Sequence, residues 1–366
     1  MRSRYTSNAF RSRVFAAFCL LIGLLCAGCS TTGDTKPAAN AQTGFTFDCD
    51  NTPANPCRRL SAKESGKPIN IESSSATWSE RFKKVFIVSD NFNDLVEQDA
   101  GDYVIAYFGL EKHSGDIQVH PLLSPEQVKE FQLYDLEGVT LIGERLYAIG
   151  SLALHGKNPK RDRWERYQFL QMDLEESAGR LRAVNLSHVA RGWPNFRNWI
   201  ISESGYPWSD EAIRGRAEAE GINVEALSAT SEGNLIIGFR GPLASDGGTL
   251  ALEFELPATP DGEPTLIRRH VLPPVDRPDV PKGAAKTLRA ISMVPDESGQ
   301  FYVLLGPKGY EQEGLVLAHW NSLTSELTKV ALLPENFVAE GVTRIPGDRV
   351  LVVDDLKEMI LFATEN

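Results

Sequence analysis

The most restrictive feature of this chain is a motif that returns four times and, more faintly, a fifth. Residues 137–150 read EGVTLIGERLYAIG, 225–238 EALSATSEGNLIIG, 289–306 RAISMVPDESGQFYVLLG and 340–353 EGVTRIPGDRVLVV. A weaker copy, ESSSATWSERFKKVFIVSD, occupies 72–90. Each copy is a charged residue, a small residue, apolar–polar alternation, a Gly/Asp/Glu turn and four or five β-prone residues. Alternation marks a strand with one buried face. Gly143-Glu144, Gly233-Asn234 and Gly347-Asp348 are hairpin turn residues. The second strands, such as Leu146–Ile149 and Val350–Val353, are unbroken apolar runs, the pattern of strands buried on both faces. Further strand-like stretches at 103–108, 167–173, 249–255 and 316–320 bring each unit to about four strands.

The leading residues Glu72, Glu137, Glu225, Arg289 and Glu340 are separated by 65, 88, 64 and 51 positions. A four-stranded propeller blade takes roughly 40–50 residues before insertions. The expectation is therefore an all-β chain, a β-propeller of five to seven blades with six favoured. The long second interval has room for an insertion, and 209–221 reads as a polar helix. A pair of β-sandwiches is the competing architecture, but it predicts no charged residue at one recurring position.

The first 28 residues are an address rather than fold. Arg2, Arg4, Arg11 and Arg13 precede an apolar run from Val14 to Leu25, and no acid occurs before Asp34. The run is short for a membrane span, which needs about 20 residues. Leu25-Cys26-Ala27-Gly28-Cys29 resembles a bacterial lipobox, with Cys26 departing from the usual non-thiol residue. The resemblance implies lipidation at Cys29 and a membrane anchor. Ser30 then resembles outer-membrane sorting, which places the chain at the periplasmic face of the outer membrane. Residues 29–44 read as a flexible tether and 45–366 as a single propeller domain. Of five cysteines, only Cys49 and Cys57 remain after lipidation and signal removal. A disulfide between them fits an oxidising compartment; a metal site is the weaker alternative.

Charge narrows the partners. The chain carries −11, and loss of four signal arginines takes the mature form towards −15. Such a surface repels nucleic acid, whose binders need a basic face. The expected partners are the membrane through its acyl anchor, and a small ligand or an envelope protein. The expected state is a monomer.

In a propeller the starts of the inner strands meet at a central channel. Glu72, Glu137, Glu225, Arg289 and Glu340 would converge there, joined by Arg240 after the third copy, His155 and Arg163 after the second, and Asp354 after the last. Arg forks could hold a small anionic ligand. Glu137, Glu225, Glu340 and Asp354 could instead bind Ca²⁺ or Mg²⁺ through oxygen and support a metal-assisted phosphoesterase or lactonase. Each glutamate could equally fix its blade by accepting backbone N–H groups. Other chemistries lack residues. The six histidines form no HxH or HExxH, and no GxSxG elbow, P-loop or GxGxxG occurs. The basic run 157–166 reads as a solvated loop, although its place after a repeat strand also suits an anion site. Trp193, Phe196, Trp199, Tyr206 and Trp208 read as packing beneath a long loop.

The stretches 135–155, 222–243, 288–295 and 340–355 resemble the bacterial family catalogued as domain of unknown function 3616 and, more distantly, esterase-like phytase propellers. The most specific block joins Glu225 to Gly238, Phe239, Arg240, Pro242 and Leu243. Ala226 and Ala290 depart from the family's glycines. The resemblance implies a propeller and no settled chemistry.

Overall fold

The computed structural model describes residues 45–47, 58–64, 67–69, 71–89, 103–110, 117–133, 135–153, 164–189, 195–205, 221–244, 246–259, 262–276, 287–306, 315–333, 337–347, 349–354 and 358–364. All lie within one compact unit, Asn40–Asn366. The signal, the tether, Cys29, Cys49, Cys57, His155, Arg163 and all but the last residue of the expected helix 209–221 lie outside the described residues.

The chain is mostly β, in a propeller-like arrangement of antiparallel sheets. Short strands β1 (Phe45–Phe47), β2 (Arg58–Glu64) and β3 (Lys67–Ile69) come first. The first full sheet is β4 (Ser73–Ser79), β5 (Lys84–Ser89), β6 (Ile105–Gly109) and β8 (His120–Pro121), while β7 (Ile117–Gln118) pairs with β2. The second is β9 (Leu136–Ile142), β10 (Arg145–Gly150), β11 (Phe169–Ser177) and β12 (Arg180–His188). The third is β13 (Asn223–Ala229), β14 (Leu235–Leu243), β15 (Thr249–Glu255) and β16 (Thr265–Leu272). The fourth is β17 (Val275–Asp276), β18 (Thr287–Pro295), β19 (Phe301–Gly306), β20 (Val316–Asn321) and β21 (Glu326–Leu332). In the last, β22 (Ala339–Ile345), β23 (Arg349–Asp354) and β24 (Glu358–Thr364) pair onward with β2. The two ends of the unit thus share one sheet. Five such sheets lie among the described residues.

Hydrophobic burial holds consecutive sheets face to face. Among the described residues five apolar clusters occur, each shared by two neighbours, and one joins Ile345, Leu351 and Val353 of the final sheet to Ala76, Val85 and Ile87 of the first. The inner strands β4, β9, β13, β18 and β22 lie side by side in that order, and β22 returns to β4. A ring leaves no inner edge unpacked, which is how such a fold manages exposed strand edges.

The inner strands approach closely, and small residues permit it. A Cβ on Gly138 would lie 2.6 Å from Leu227 Cβ of the next inner strand. One on Gly341 would lie 2.8 Å from the Ser75 backbone. Where serine occupies the same place it bridges the seam: Ser75 Oγ accepts from Val139 N at 3.3 Å, and Ser292 Oγ from Val342 N at 3.2 Å.

The two rims of the ring differ. Tight turns join each inner strand to its hairpin partner, as at Gly233 (φ 86°), a conformation glycine adopts without steric penalty. The opposite rim carries the inner-strand starts. Two helices were not foreseen. Ser124 caps α1 (Pro125–Phe131) in a capping box with Gln127, a signal readable as Ser-Pro-x-Gln. α2 (Asn195–Glu203) packs Phe196 and Trp199 on Phe169 and Phe254, so those two aromatics are helical packing.

Candidate functional site: the charged end of the channel

Each inner strand carries a β-bulge at one equivalent point. The ladders skip Ser74, Glu137, Glu225, Ile291 and Glu340 between paired neighbours. A bulge turns its extra residue away from the regular alternation and is a recurrent way to aim a side chain. The next residue is Ser75, Gly138, Ala226, Ser292 or Gly341, always small. This register places Glu137, Glu225 and Glu340 at matched positions, with Ser74 and Ile291 in the other two. Glu72 and Arg289 stand two residues earlier, in line with Asp135 and Asn223. The Glu72 side chain is half-buried; the Arg289 side chain lies outside the described residues, although its backbone pairs with Gly306.

Arg240 is the hub of the cluster. It follows the buried run Leu235–Phe239 on β14, opposite the Glu225 bulge. Its Nη1 donates to Glu225 Oε1 at 3.1 Å, and Asn223 Nδ2 donates to the same oxygen at 2.6 Å. The Glu225 side chain is only 4% exposed, against 19% for Arg240. Burial pushes the Glu225 carboxyl above its ordinary range, and the nearby Asp135 charge adds to this; Arg240 and Asn223 oppose it. The Glu225 carboxylate, with Glu340 and Glu137 around it, holds the Arg240 guanidinium well above its ordinary value. Carboxylates from three inner strands thus act on one cation.

A second ion pair extends the cluster. Arg166 Nη2 donates to Asp135 Oδ1 at 2.8 Å, with both side chains buried. Ser151 Oγ donates to Asp135 Oδ2, and Ser151 O accepts from Val224 N at 2.7 Å, tying this pair to the strand that carries Glu225. Asp135 and Leu152 both have positive φ, 57° and 56°, backbone strain of the kind that gathers at functional sites. Asp354 closes β23 opposite Ala339 and is fully buried.

Among the described residues, no three His, Cys, Asp or Glu side chains are placed to hold a metal ion. The charges of Glu137, Glu225 and Glu340 act on the Arg240 guanidinium. A groove of about 760 Å³ lies elsewhere, lined by Trp199, Ser202, Glu203 and Glu263.

No family model matches the chain, and no curated protein does. Solved structures resemble it weakly. Pseudomonas fluorescens PhoX, in complex with the transition-state analogue vanadate, is 9% identical over 86% of this chain and 76% of its own, with a TM-score of 0.40. The Pseudomonas aeruginosa periplasmic gluconolactonase PpgL is 14% identical over 80% and 81%, with a TM-score of 0.37. A protein of unknown function from Bacteroides thetaiotaomicron is 12% identical over 81% of this chain, with a TM-score of 0.38; this chain spans 61% of its length. Likeness at this level transfers neither activity nor site residues.

Proposed function

We propose that the chain is an exported, lipid-anchored β-propeller of five blades that binds a small polar ligand at the charged end of its channel. The observation that carries this reading is the Arg240–Glu225 ion pair, with the charges of Glu137 and Glu340, from equivalent bulges on two further strands, also acting on the guanidinium. Convergent polar groups from distant segments are what a ligand site needs. Calorimetric titration of the purified full-length protein with a panel of small polar compounds tests it. Binding that Arg240→Met weakens by more than tenfold supports it; binding indifferent to Arg240 refutes it. Cys29→Ala is expected to abolish acylation and release the protein from the membrane fraction, read by palmitate labelling. Retention of label would end the anchor proposal.

One observation favours a second reading, a hydrolase of phosphoesters or lactones. Glu225 is a buried carboxyl displaced upward beside a guanidinium. Such a group can carry a proton while the arginine steadies developing negative charge. Turnover of a nitrophenyl phosphate or a simple lactone, lost in Glu225→Gln, would establish it.

A further inference from the structure

Asn223 is a buried residue, 3% exposed, at the start of β13. Its Nδ2 donates to Glu225 Oε1, but its Oδ1 is buried and accepts no hydrogen bond. Turning the amide over would set Oδ1 against the Glu225 carboxylate, acceptor on acceptor, and lose the 2.6 Å bond. Two donors, from Asn223 and Arg240, converge on Oε1, which suits an ionised oxygen. The orientation is therefore fixed by charge, and the leftover acceptor is a consequence of it. A buried acceptor without a donor destabilises a fold by about 1–3 kcal/mol. Nearly all such groups in native proteins find a partner.

Arg240 already donates to Glu225 Oε1, and the charges of Glu340 and Glu137 also act on it, so a phosphate or carboxylate ligand would compete with a glutamate for it. A ligand that brings N–H or O–H groups meets the opposite situation. It would satisfy Asn223 Oδ1 and offset the excess of negative charge together.

We propose that the channel end recognises its ligand through hydrogen-bond donors, ammonium or hydroxyl, with Asn223 Oδ1 and the neighbouring carboxylates as acceptors, and that it discriminates against anions. This ligand class rests on the channel reading above. Asn223 is a specificity residue in it, and Glu225 is held in place by the same amide.

The test is titration of the full-length protein with three probes: spermidine for ammonium, sorbitol for hydroxyl and inorganic phosphate for anions. Spermidine or sorbitol is expected to bind, and Asn223→Leu to weaken that binding by about tenfold or more. Salt separates the two donor sources, because it weakens an ammonium ligand and spares a neutral polyol. If Asn223→Leu fails to fold, as judged by circular dichroism, Asn223→Ser replaces it. Phosphate binding that depends on Arg240, with neither donor probe bound, overturns the ligand class and leaves the channel reading standing. Donor-probe binding unaffected by Asn223 substitution also overturns it. Failure of all three probes overturns the ligand class; the channel reading falls only if no compound of the wider panel binds through Arg240.

Discussion

Replacing Arg240 with methionine strands a carboxylate. The Glu225 side chain is 4% exposed, so solvent cannot take over the role of the guanidinium. Removing one partner of a buried pair typically destabilises by about 3–5 kcal/mol. Proton uptake limits the penalty, because Glu225 can become neutral instead. From an ordinary value of 4.5, protonation requires about 3.4 kcal/mol at pH 7 and about 0.7 kcal/mol at pH 5. The sign follows from linkage. The folded Glu225 value is raised, and loss of Arg240 raises it further. The stability associated with that proton is fully present below 4.5 and is lost as pH rises through the folded value. Arg240→Met should therefore destabilise by up to about 3 kcal/mol at pH 7 and by under about 1 kcal/mol at pH 5. Adding Glu225→Gln should recover most of the loss at pH 7 and flatten the pH dependence. Urea unfolding midpoints of the four proteins at both pH values measure this. An equal penalty at both pH values, or one that glutamine leaves untouched, would show that Glu225 is not the stranded charge.

Three other outcomes are expected. Gly138→Ala places a methyl 2.6 Å from Leu227 Cβ and 2.9 Å from its backbone nitrogen, and should destabilise by about 1–3 kcal/mol through overpacking; an unchanged denaturant midpoint would mean the inner strands are not in contact. Burial lowers the His188 value from 6.5, and burial with Arg180 and Lys84 lowers that of His120. Both contribute stability above about pH 6.5 that fades as pH falls through their folded values, so His188→Gln should lessen the melting-temperature drop between pH 7 and 5. Ser124→Ala removes the α1 cap and should loosen that helix by about 1 kcal/mol, read by amide exchange at Val128.

Much of this architecture was written in hydrophobic period. The four strong copies became β9–β10, β13–β14, β18–β19 and β22–β23, and the faint copy became β4–β5. The strand expected at 249–255 is β15, while those expected at 103–108 and 167–173 begin two residues later. The register was less legible. Aligning the copies on their first charge put Glu72 and Arg289 beside Glu137, Glu225 and Glu340. The bulge instead puts Ser74 and Ile291 there. A bulge adds one residue to a strand, and a period-two reading has no sign for that. The better marker was the small residue, Ser75, Gly138, Ala226, Ser292 or Gly341, which close approach of neighbouring strands demands. Arg240 was legible from its place after a buried run. The Asp135–Arg166 pair was not, because Arg166 arrives through a turn at Trp164–Tyr167 whose position no repeat records. Asn223 was missed because an uncharged residue two places ahead of a glutamate carries no pattern of its own.

The central claim is that charges far apart in sequence form one electrostatic unit, and a double-mutant cycle between Arg240→Met and Glu340→Gln tests it most directly. Glu340 lies on the last sheet and Arg240 on the third, and the Glu340 charge acts on the Arg240 guanidinium. A coupling of about 0.5 kcal/mol or more is expected in urea unfolding at pH 7. Strict additivity would mean the two side chains do not share a channel, and would contradict it.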